Sequence, residues 1–139
     1  MNEIDLPNKV WTILPERMKV NRVHRVPLSS RAIEILELMQ KFQCNEFIFP
    51  GSKKGLSNMA MLQLLKRMGC DDLTVQGFQS TFRDWAAETT AYSNEVIEMA
   101  LAHTIKNMPE AVYHRGDLLE KRSQLMSDWA EFCNVKPES

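Results

Sequence analysis

The chain has 139 residues, enough for one domain with a real hydrophobic core. Its 44% apolar and 25% charged fractions match an ordinary globular composition and exclude a disordered or fibrous chain. Seventeen basic residues stand against eighteen acidic ones, a net charge of −1, so any anion-binding role has to come from local placement of charge.

The N-terminal MNEIDLPNK has no hydrophobic signal core, and no apolar run approaches the roughly 18 residues a membrane span requires. A cytosolic protein without a membrane partner is expected. Cys44, Cys70 and Cys133 are odd in number, far apart and without metal-ligand spacing, so they are expected to be reduced thiols, with no metal or other cofactor.

In chain order, Val10 to Leu14 reads as a β-strand ended by Pro15. Val23 to Leu28 reads as a second strand, in which Pro27 predicts an edge position. The polar PERMKVNR between them suits a hairpin connection. Ser29 or Ser30 then caps a helix with Ile33, Leu36 and Met39 at helical spacing. FIFPG, from Phe47 to Gly51, is a brief extended piece. Ser57 is read as the cap of a methionine-rich helix whose inner face carries Met61, Leu64, Leu65 and Met68, and Gly69 stops it.

The next helix runs from about Gln76 to about Thr89, with Phe78, Phe82, Trp85 and Ala86 as a core face and Arg83 and Asp84 on the other side. Ser93 caps a further helix carrying Val96, Ile97, Ala100 and Leu101. Pro109 suits the first turn of a short helix with Val112 and Tyr113. Asp117 with Glu120 resembles a capping box for the last helix, where Leu118, Leu125, Met126, Trp129 and Phe132 form an apolar stripe. The fold class predicted is mainly α (α+β): one helical domain over residues 2–133 with a small N-terminal antiparallel β element, then a polar tail, 134–139.

Two clusters carry possible chemistry. Arg17, Lys19, Arg22, His24 and Arg25 sit together on the predicted hairpin, and can either grip a phosphate backbone or simply form a solvated loop. His103 precedes Tyr113 by ten residues, with His114 and Arg115 beside the tyrosine. A tyrosine can act as a nucleophile when nearby donors hold the reaction's negative charge, and it is equally at home half buried on a short helix.

In order, WTILPERMKVNRVHRVPLS, LTVQGFQSTFRDWAAE and EMALAHTIKNMPEAVYHRGDLLEKR resemble the tyrosine recombinases, and most closely the prophage and genomic-island integrases of the bacteriophage-satellite type. The resemblance covers about Asn2 to Cys133. It implies a catalytic domain for site-specific recombination of double-stranded DNA, in which a tyrosine forms a 3′-phosphotyrosyl bond and frees a 5′-hydroxyl. It places Tyr113 at the nucleophile, Lys19 at the hairpin lysine that protonates the leaving oxygen, and His103 at the second histidine.

The departures weigh against activity. Where that family has His-Gly-Phe-Arg, this chain has Gln76-Gly77-Phe78-Gln79, and glutamine supplies neither a proton shuttle nor a charged fork for phosphate. The other arginine of the family belongs upstream of Glu3, so a domain truncated on its N-terminal side is expected. Arg83, one turn beyond Gln79, is the nearby cation left. The expected outcome is a crippled recombinase domain; the alternatives are a non-enzymatic DNA-binding module, or one that docks onto itself or an intact integrase through the C-terminal stripe.

Overall fold

The computed structural model describes residues 2–103 and 116–135. Three short strands form one antiparallel sheet in the order β1 (Ile4–Asp5), β2 (Val10–Ile13) and β3 (His24–Pro27). Ile4 pairs with Trp11, and Val10 with Pro27. The two predicted strands are present, and Pro27 does lie on an edge strand, where its missing N–H interrupts no ladder. β1, too short to show any alternation, was not anticipated.

Five helices follow among the described residues: α1 (Ser30–Lys41), α2 (Ala60–Arg67), α3 (Gly77–Thr89), α4 (Asn94–Ala100) and α5 (Leu119–Asn134). The mainly helical class with a small sheet therefore holds. The Ser29 hydroxyl accepts from the Ala32 amide at 3.2 Å, and the Ser93 hydroxyl from Val96 at 3.4 Å, so both predicted caps form. Gly69 ends α2 at φ +76°, a backbone conformation that glycine adopts without a Cβ penalty.

Two caps differ from expectation. α2 starts after Met59, with no side-chain cap, because Ser57 meets the helix only through its carbonyl, which accepts from Ala60 N. α5 starts after Leu118, which adopts the left-handed region at φ 54°, and the Asp117 carboxylate is turned to arginines instead. The predicted short helix around Pro109 lies outside the described residues.

The core is built by α3, α4 and α5. Phe82, Ala86, Val96, Ile97 and Leu125 are buried together, with Trp85, Met126 and Trp129 packed against them. Phe82 meets Trp129 edge to face at 5.3 Å, and Trp85 meets Trp129 at 5.1 Å. Packing then passes from α5 to β3.

Two expectations about burial are corrected. Phe78 is 49% exposed, since it sits on the first turn of α3, beyond the reach of α4 and α5. The methionine-rich α2 contributes no buried residue at all, because no other element packs extensively on it. The C-terminal stripe is mostly consumed internally, leaving Phe132 half exposed near the end of α5.

Candidate nucleic-acid interface

The ten residues joining β2 to β3 begin with a single 3-10 turn, Pro15–Arg17, after which the chain turns back at Asn21, in the left-handed region at φ 54°. This loop forms one wall of a cavity of about 490 Å³, and the end of α4 with the start of the α5 segment forms the other. Arg22, His24, Arg25, His103, Asp117 and Arg122 all line it. Four of the residues singled out in the sequence therefore converge here from two distant parts of the chain.

Their charges are not equally available. Arg25 is locked to Asp117 by a two-pronged contact, Nε donating to Oδ2 at 2.8 Å and Nη2 to Oδ1. Arg122 lies behind them at 1% exposure. Its Nε donates to the Asp117 carbonyl at 2.7 Å, its Nη1 to the Arg25 carbonyl at 2.6 Å, and its Nη2 lies 3.0 Å from Asp117 Oδ2. Burial works to raise the Asp117 carboxyl, but the hydrogen bond from Arg25 and the two guanidinium charges outweigh it and hold it below the usual value. Arg25 is pushed upward, chiefly by its hydrogen bond to Asp117.

His24, on β3, is half buried in the cavity wall. Burial first, and then the charge of Arg122, lower its pKa, with Asp117 opposing, so the neutral ring is favoured. Arg17 turns the other way. Its Nη1 reaches both Glu3 oxygens at 2.7 Å, where the Trp11 indole also donates, at 3.1 Å. Lys19 is exposed on the loop between Met18 and Val20, both of which line the cavity.

On the helical side, Glu98 joins two elements. One oxygen lies 2.7 Å from His103 Nδ1 and the other 3.0 Å from Arg83 Nε, so Arg83 of α3 and His103 after α4 share one carboxylate. Arg83, expected on the side of α3 away from the core face, thus makes an interhelical pair. Glu98 and Arg122 had been missed. A glutamate five residues before His103, on the helix that precedes it, was the available clue to the first; nothing local marks the second, whose partners are 5 and 97 residues away.

Gln76 and Gln79 are exposed at the start of α3 and do not line the cavity. Tyr113 lies outside the described residues; Gly116, three residues later, lines the cavity. No described helix is long and apolar enough to cross a membrane.

The chain is 37% identical over 138 residues to the prophage integrase IntA of Escherichia coli K12, a match covering 96% of this chain and 33% of that protein. It is 36% identical over 132 residues to the prophage integrase IntZ of the same organism, covering 92% and 33%. With the integrase of Enterobacteria phage P4 the identity is 28% over 154 residues, covering 96% and 35%. The chain is homologous to prophage integrases and spans about a third of the length of these relatives. No family model and no solved structure matches it.

Proposed function

We propose that residues 2–133 are a catalytic-domain segment of a site-specific DNA recombinase of the tyrosine type, with 134–139 as a polar tail. The similarity to prophage integrases supports the class. The observation that carries the reading to a site is the cavity, which gathers the β2–β3 loop, His103 and Gly116.

In this reading the Tyr113 oxygen attacks a backbone phosphorus, and the bond to the 5′-oxygen breaks. That oxygen takes a proton from Lys19, leaving a 3′-phosphotyrosyl bond that another 5′-hydroxyl later reverses. His103 donates to the phosphate, its ring oriented by Glu98. Arg22 and His24 face the DNA backbone, and Arg17 and Arg25 add charge already shared with carboxylates. No cofactor takes part, and the work is done on DNA in the bacterial cytoplasm.

Gln79 is the weak point. Losing one preorganised transition-state donor costs on the order of 10²–10³ in rate, and here a phosphate-gripping charge is absent as well. Binding without cleavage is therefore the expected behaviour, which makes a non-enzymatic DNA-binding module the second reading. Docking onto an integrase through α5 has less support, because that stripe is occupied by the chain's own core.

Nicked suicide duplexes of randomised sequence test both readings. The expected result is binding that weakens steeply with salt and no covalent adduct. An adduct that disappears in Tyr113→Phe would overturn the loss of activity, and absence of binding at low salt would overturn the role on DNA.

A further inference from the structure

Arg25 lines the cavity with its side chain 42% exposed, yet its Nε and Nη2 are both engaged by the Asp117 carboxylate. A guanidinium fork that spans two carboxylate oxygens spans two phosphate oxygens equally well, and a phosphodiester brings the same single negative charge. Asp117 therefore occupies an anion site that also suits a phosphate.

The three charges of this clamp are not equally movable. Arg122 is buried and donates to two carbonyls, those of Asp117 and Arg25. Asp117 has a second cation beside it, since Arg122 Nη2 lies 3.0 Å from its Oδ2. When Arg25 swings away, the carboxylate is still paired and the buried cation is still neutralised. Partly exposed ion pairs are weak and screened by salt, so the Arg25 contact is the one that exchanges. Arg17, which Glu3 holds in a similar way, does not line the cavity.

We propose that the Arg25 fork is a binding site for one phosphate of the DNA backbone, filled by Asp117 in the free protein, and that DNA binding exchanges the carboxylate for the phosphate. The inference rests on the DNA-binding reading above and adds to it a residue that works against affinity. DNA reaches Arg25 only by displacing an internal anion, so the wall of the cavity grips a duplex less tightly than its cations alone would.

Gel shifts of a randomised-sequence duplex over a range of salt test the exchange. Asp117→Asn keeps the shape of the side chain and removes its charge. It should tighten binding about tenfold, the effect of one charge-assisted contact. The plot of log affinity against log salt should steepen by about one. Loss of any negative charge favours DNA to some extent, so dependence on Arg25 decides: in an Arg25→Gln background, Asp117→Asn should change affinity by about twofold or less.

Should Asp117→Asn fail to fold by circular dichroism, NMR of the unaltered chain still decides. Saturating duplex should shift the Arg25 Nε–H signal and leave that of Arg122 little changed. An equal gain with and without Arg25, no gain at all, or an Arg25 signal unmoved by bound duplex would each overturn the exchange. Failure of every variant to bind duplex at low salt would instead overturn the role on DNA itself.

Discussion

Arg122 is almost fully buried and reaches three oxygens on two other residues, so its charge is matched by the Asp117 carboxylate and by two carbonyls. A buried cation of this kind is tolerated only while its partners stay ionised and in place. The neighbouring groups make that condition depend on pH. His24 has a lowered pKa in the folded protein, so the unfolded chain binds its proton first and stability falls as pH drops through the ordinary histidine value of 6.5. Asp117 is held below 3.8, so its contribution is present above that value and is lost as pH falls through the lower folded one. The melting temperature should therefore be level between about pH 7 and 8, decline below that range, and fall faster in strong acid. His24→Gln should flatten the first decline and leave the second; an unaltered profile in that variant would assign the first decline to other groups.

At the scale of elements, capping decides where helices begin, and the two serine-led helices here differ in a measurable way. The Ser29 hydroxyl accepts from an orphan amide of α1, whereas Ser57 leaves the start of α2 without a side-chain acceptor. Ser29→Ala should cost about 1 kcal/mol in urea unfolding, and Ser57→Ala should stay within about 0.5 kcal/mol. Equal losses would contradict the difference in capping. The same contrast explains what was legible in the residues. The strand stop before Pro15, the edge position of Pro27, the Ser29 and Ser93 caps and the Gly69 stop are local signals, and each appears in the fold. Burial is not local. The stripe of α2 and the first turn of α3 have the spacing of core faces, but periodicity says only that a face exists, not that another element covers it. The cluster of cations on the β2–β3 connection was equally visible; that Arg17 belongs to Glu3 and Arg25 to Asp117 was not, since those partners lie 14 and 92 residues away.

At the scale of the whole molecule, packing is uneven. One continuous body runs from the sheet through α5 and α4 to α3, while α1 and α2 make no extensive contact with another element. Local opening free energies should follow that division. Under dilute conditions, amides of α2 should exchange orders of magnitude faster than those around Ala86, Val96 and Leu125, which open only with global unfolding. Uniform protection along the chain would show that α1 and α2 are held as firmly as the rest. The cavity belongs to the well-packed body, and Gln76 and Gln79 stand at the exposed start of α3, outside its lining.

The clamp of Arg25, Asp117 and Arg122 has a consequence for how the molecule is made. It joins β3 to a segment more than ninety residues later, and Leu125, which completes the buried cluster, comes later still. A ribosome releases the chain from its N-terminus, so the hairpin, α1, α2 and α3 all emerge before anything that can bury Phe82 or neutralise Arg25. Local hydrogen bonds can form on the way out, but closing so long a loop brings its reward only at the end. The segment from Asp117 to Leu125 therefore acts as the latch of the packed body. A nascent chain stopped short of Leu125 exposes its aromatic core to water just as α2 exposes its methionines.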